Sequence, residues 1–202
     1  MKKILLCCLL VAATLLTAVG CDIEGGGQTE KTPATVFELW SAFANTKRDA
    51  ITVEVTTKTE GVSLRANYSL KGETLTYSVD RVRTFSEEMD VDEIPTNFKE
   101  TVTGTATVKD GVVTKIDDTT VTVPEGAALM GGYTITEGNL KNVTNENGKL
   151  SADVVSAKDF FGAEANVTDL HIELVYTKSA VVSLTVTYKT ATAEVSSFYL
   201  FG

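Results

Sequence analysis

DLHIELVYTK (residues 169–178), AVVSLTVTYKT (180–190) and ATAEVSSFYLF (191–201) alternate apolar and polar side chains with a period of two. Leu170, Ile172, Leu174 and Tyr176 fall on one face of the first run, and Val182, Leu184, Val186 and Tyr188 on one face of the second. This alternation is that of β-strands with one buried and one solvated side. The links at Ser179-Ala180 and Thr190 are too short for a crossover, so the three strands are antiparallel neighbours.

The same period runs back through the chain. ITVEVTTKT sets Ile51, Val53 and Val55 against Thr52, Glu54 and Thr56, and VSLRANYSL aligns Val62, Leu64, Ala66, Tyr68 and Leu70. Turns at Glu60-Gly61 and Lys71-Gly72-Glu73 make these segments a meander. TLTYSVDRVR continues with Leu75, Tyr77 and Val79, and Val82 then breaks phase, predicting a bulge near Asp80. Strands are expected again at TVTGTATV, VVTKI and TTVTV, with hairpins at Asp110-Gly111, Asp117-Asp118 and Asn147-Gly148. Gly104 and Ala106 occupy inward positions and leave room for a close-packed neighbour or a ligand. SAKDFFG reads as one helical turn, with Ser156 as cap and Gly162 as stop.

TPATVFELWSAFANTKRDA is the one substantial helix. Thr32 can cap it with Pro33 in the first turn, and Thr35 with Glu38 forms a second capping box. Val36, Trp40, Phe43 and Ala44 share a face flanked by Phe37 and Leu39, an apolar stripe that a sheet must cover. The expected fold is α+β and mainly β: a single large, curled, half-barrel-like antiparallel sheet of about ten strands with the N-terminal helix packed on it.

The start of the chain has a different character. Lys2 and Lys3 precede an apolar run from Ile4 to Val19, the layout of a secretory signal and a little short for a membrane span. Ala18-Val19-Gly20-Cys21 follows, and these residues resemble the lipobox of bacterial lipoproteins, with Ala18 where leucine is preferred. The resemblance implies cleavage before Cys21, acylation of its thiol with palmitate-type chains, and stable attachment to the membrane through those chains. The alternative is a secreted protein cut near Ala18 or Gly20, which would carry one free thiol. Cys7 and Cys8 leave with the signal. The implied organisation is a signal peptide at 1–20, the lipidated Cys21 and a flexible Gly-rich tether at 21–32, and a single domain at 33–202. Asp22 resembles the residue that retains some bacterial lipoproteins in the inner membrane. The protein is thus expected on the periplasmic or extracellular face of a bacterial cell membrane.

Without Lys2 and Lys3, 16 basic residues face 27 acidic ones, a net charge of −11. That surplus disfavours nucleic acid and an anionic headgroup plane as partners. His171 is the only histidine, beside Glu173 on the polar face of its strand, so the chain offers no cluster for zinc, haem or iron–sulfur. No Gly-x-Ser-x-Gly elbow is present, and a hydrolase would have to recruit this one histidine. Glu87, Glu88, Asp90, Asp92 and Glu93 lack the ligand spacing of a calcium loop. No catalytic residue, metal site or cofactor is expected.

The order of elements resembles the periplasmic lipoprotein-carrier superfamily and its lipoglycolipid-binding lipoprotein relatives. These fold as unclosed barrels whose helix-lidded concave side holds acyl chains. Their arginine–proline signature is absent, since neither Arg65 nor Arg81 precedes proline, so no residue is carried over. The resemblance implies a non-enzymatic module for an apolar or amphiphilic ligand. The alternative is a structural or adhesive surface lipoprotein acting through a protein partner. Trp40, Phe43, Tyr68 and Tyr77 are the candidate ligand-binding residues, expected to meet where the helix crosses the first strands; core packing is the competing assignment.

Overall fold

The computed structural model describes residues 35–46, 48, 50–83 and 98–202. The leader, Cys21, the tether, the Thr32-Pro33 helix start and the acidic run 87–93 lie outside the described residues. The first helix, α1 (Val36–Ala44), starts at the second of its two start signals. The Thr35 hydroxyl accepts from the Glu38 N–H at 3.2 Å while the Glu38 carboxylate accepts from the Thr35 N–H at 3.2 Å. This reciprocal capping satisfies two N–H groups that a helix start otherwise leaves open.

Among the described residues ten strands follow: β1 (Ala50–Thr59), β2 (Val62–Lys71), β3 (Thr74–Arg83), β4 (Lys99–Lys109), β5 (Val112–Ile116), β6 (Leu140–Glu146), β7 (Lys149–Val154), β8 (Thr168–Tyr176), β9 (Val181–Lys189) and β10 (Ala193–Phe201). They form one antiparallel sheet in the order β5-β4-β3-β2-β1-β10-β9-β8-β7-β6. Two meanders of five strands therefore join where the first strand pairs with the last, Ile51 opposite Phe201 and Val53 opposite Tyr199. The outer strands β5 and β6 do not pair, so the curled sheet stays open. The Asp110-Gly111 and Asn147-Gly148 hairpins form as predicted, with φ positive at all four residues. That is the geometry whose twist matches the flanking strands.

Two sequence expectations are corrected. No bulge occurs at Asp80: β3 pairs residue for residue with β2 from Thr74 to Arg83, and Val82 lies on the outer face. TTVTV (119–123) is not a strand. The Asp118 carboxylate accepts from the Thr120 N–H at 2.8 Å and from its hydroxyl at 2.7 Å, turning the chain away from β5. Such a side-chain turn competes with strand pairing at exposed Asp-x-Thr sequences.

The segment 117–139 then crosses the inner face from the β5 edge to the β6 edge, carrying a short helix, α2 (Ala127–Met130). Its path is marked by Tyr68 Oη donating to the Thr122 carbonyl at 3.2 Å, Tyr199 Oη to Ala128 at 2.9 Å and Trp40 Nε1 to Tyr133 at 2.9 Å. The predicted helical turn, α3 (Ala157–Phe161), forms with Ser156 Oγ accepting from the Asp159 N–H at 3.3 Å and Gly162 in the left-handed conformation. The core lies between the sheet and these three coverings, with Trp40, Leu129, Phe160 and Tyr199 almost fully buried.

One pair of tyrosines locks the coverings to the sheet. Tyr199 gives its only hydroxyl proton to Ala128, so in the 2.6 Å contact between the two hydroxyls Tyr133 is the donor. Burial pushes the Tyr133 phenol up to about 12, and burial likewise raises Tyr199. A phenol whose folded value lies above its unfolded one stabilises the fold in full below about pH 10. That stabilisation is lost as pH rises through the folded value. Tm is accordingly expected to fall between about pH 10 and 12, and Tyr133→Phe, monitored by circular dichroism, is expected to flatten that fall while lowering Tm at pH 7.

Candidate functional site

Strand register arranges the inner face in rows. Leu150, Leu174, Leu184, Tyr199, Val53, Tyr68, Tyr77 and Gly104 form one row across eight strands. The next is Ala152, Ile172, Val186, Ser197, Val55, Ala66, Val79 and Val102. In the C-terminal half this second row is sealed, with Ala152, Ile172 and Val186 wholly buried. In the N-terminal half Val55, Val79 and Val102 are only half-buried, because the crossing segment covers the sheet no further than Thr120–Thr122.

What remains is a groove of about 390 Å³. Val55, Leu64, Ala66, Val79 and Val102 make its apolar wall, Tyr68 its inner end, and Arg81 and Glu100 its mouth. Its volume is at the lower end of those that bind small organic ligands. A second groove of about 300 Å³ lies near Arg48, beside the middle of the crossing segment at Gly126, Met130 and Gly132. There Arg48 acts as a clamp: Nη1 donates to the Met130 carbonyl at 2.5 Å, Nη2 to Phe43 at 2.8 Å, and the guanidinium lies 3.8 Å above the Phe43 ring. The cation thereby serves the carbonyl ends of both α1 and α2.

The four candidate aromatics do not assemble into one site. Trp40 and Phe43 touch each other at 5.5 Å, but α1 lies over β9, and Phe43 packs edge-on against Phe201 at 4.6 Å. Tyr68 and Tyr77 are cross-strand partners on β2 and β3. Tyr68 alone of the four lines the groove. Tyr77 is buried over Gly104, and its hydroxyl finds no partner. The room left by Gly104 is thus filled by a neighbouring ring. The aliphatic wall residues were readable as one face of each strand; nothing in their spacing separated covered from uncovered positions.

His171 lies on the outer, polar face of β8 as its sequence position predicts, but with partners that the sequence did not show. Its Nδ1 is 2.8 Å from Asp153 Oδ1 and its Nε2 3.1 Å from Ser151 Oγ, since β7 and β8 set Asp153 opposite His171. Asn142 Nδ2 donates to the second Asp153 oxygen at 2.7 Å. The bond to His171, and then that to Asn142, holds the Asp153 carboxyl below its ordinary range. Hydroxyl, imidazole and carboxylate stand in the order of a nucleophile, its base and an orienting acid. They lie on the outward side of the sheet with more than a third of the His171 and Asp153 side chains exposed, and line neither groove.

Among the described residues, no group of three or more His, Cys, Asp or Glu side chains could hold a metal ion, and no helix is long and apolar enough to cross a membrane. No protein-family model matches the sequence, and no curated protein matches it.

Proposed function

We propose that the chain is a membrane-anchored bacterial lipoprotein, held by acyl chains on Cys21, whose folded part binds an apolar or amphiphilic ligand and performs no chemistry on it. The observation that supports binding is the uncovered stretch of apolar wall in the groove. Elsewhere on the inner face the same rows are buried, and half-exposed aliphatic side chains in a concavity are where an apolar ligand gains most from leaving water. The anchor rests on the resemblance of Ala18-Val19-Gly20-Cys21 to a lipobox. It is tested by incorporation of labelled palmitate, which Cys21→Ser should abolish.

Residues 32–202 form a compact unit of their own, so residues 30–202 can be purified without detergent and weighed by native mass spectrometry. Bound lipid released on denaturation, or uptake of added fatty acid or lysophospholipid, is the expected result. Ala66→Leu, which fills the groove wall, should reduce uptake about tenfold, a change of about 1.4 kcal/mol. Leu64→Glu should do the same by placing a charge on that wall. A bare protein mass with no uptake would sink the reading. His171→Gln should leave uptake unchanged, and hydrolysis of an activated ester that this variant abolished would count against a non-enzymatic role.

A second reading, a structural or adhesive role through a protein partner, is favoured by the outer face. Phe198 and Leu200 on the central strand β10, and Val175 on β8, are exposed there.

A further inference from the structure

The row at the outer end of the apolar wall is Thr57, Leu64, Arg81 and Glu100, so Arg81 and Glu100 occupy directly opposite positions on β3 and β4. Both face the groove mouth. On the outer side of the same strands, charges find each other: Arg65 and Glu54 at 2.8 Å, Lys99 and Asp80 at 3.4 Å. Arg81 and Glu100 make no ion pair or hydrogen bond among the described residues.

Two opposite charges, unpaired among the described residues, at the rim of one small apolar groove have a chemical complement. The geometry points to a zwitterionic, single-chain amphiphile carrying a phosphate ester and a primary ammonium, its chain along Val55, Ala66, Val79 and Val102 and its headgroup spanning Arg81 and Glu100. The inference rests on the groove being a binding site, as proposed above. Cβ atoms directly opposite across an antiparallel pair are about 4.5–5.5 Å apart, and in a phosphoethanolamine the two charges are separated by an ester oxygen and two methylenes. Arg81 can take the phosphate through two parallel N–H donors. Glu100 accepts from the ammonium. A purely anionic headgroup would meet Glu100 and the surplus negative charge of the chain, while a purely cationic one would leave Arg81 unanswered. A volume of about 390 Å³ suits one chain better than two.

The test compares three probes of equal chain length on residues 30–202 by calorimetric titration: lysophosphatidylethanolamine, lysophosphatidic acid and an alkyl amine. The zwitterion is expected to bind about tenfold tighter than either, the discrimination that one charge-assisted hydrogen bond supplies. Arg81→Gln should remove its advantage over the amine, and Glu100→Gln its advantage over lysophosphatidic acid. Both positions are exposed, so Tm should not move. Free phosphoethanolamine should not compete; competition at equal concentration would show that the chain is not seated in the groove and would overturn the inference. Equal affinity for all three amphiphiles, unchanged in both variants, would overturn the headgroup assignment and leave the groove standing. No binding of any probe would take the groove reading down as well.

Discussion

Trp40→Ala is expected to cost about 3–5 kcal/mol of stability, the range for removing a fully buried indole. The side chain is 2% exposed and lies at the junction of everything that covers the sheet. Its ring packs on Phe43, and its N–H holds the Tyr133 carbonyl. The Tyr133 ring stacks on Phe160 of α3 at 4.7 Å and stands edge-on to Tyr199 of β10 at 5.8 Å. Removing the indole leaves a cavity and an unanswered buried carbonyl together, and both loosen α1 and the crossing segment. Trp40→Phe keeps most of the apolar area and loses the hydrogen bond, so about 1–2 kcal/mol is expected. Urea denaturation measures both. A loss below about 1 kcal/mol for the alanine variant would mean that the coverings do not depend on this contact.

Gly104→Ala should also destabilise, by about 1–3 kcal/mol, although alanine is ordinarily the better strand residue. A Cβ built at this position would stand 2.6 Å from Tyr77 Cζ and closer still to its Oη. No side chain tolerates that approach, and the Tyr77 ring is buried with little space to move. The effect should therefore depend on the ring. In a Tyr77→Ala background Gly104→Ala is expected to become neutral or slightly stabilising, a coupling that a double-mutant cycle reads directly. Tyr77→Phe relieves the Oη contact but not that with Cζ, so it should rescue only part of the loss. It also removes a buried hydroxyl that finds no partner. An alanine at 104 that stabilised the unaltered protein would contradict the placement of Tyr77 over the glycine.

Much of the fold was readable because its signals are local. Alternation at Leu170, Ile172 and Leu174, or at Leu64, Ala66 and Tyr68, is a property of a few consecutive residues. So are the Asp110-Gly111 and Asn147-Gly148 turns and the Thr35–Glu38 capping box. The error at TTVTV has the opposite origin. Its alternation is as regular as that of true strands, but Asp118 turns the chain and the sheet edge lies elsewhere. The helix packs on the sheet as expected but over β9 rather than the first strands, for a related reason: an apolar stripe says that α1 must be covered and does not say by which strands.

The candidate site was legible only in part. Of Trp40, Phe43, Tyr68 and Tyr77, the spacing identified inward-facing aromatics without separating core from groove. His171 was singled out as the only histidine, yet its partners Ser151 and Asp153 lie 20 and 18 positions earlier in the chain. Only the pairing of β7 with β8 brings them within hydrogen-bond reach.

Sequence by itself determined the class of fold, a mainly β chain of about ten antiparallel strands with an N-terminal helix, because period, turn chemistry and capping act over a few residues. The tertiary structure decided which strands join in the middle of the sheet, which part of its inner face the chain covers, and where two opposite charges are left facing each other. Those are properties of residues far apart in the chain, set by register and by the path of a crossing segment that no local pattern encodes.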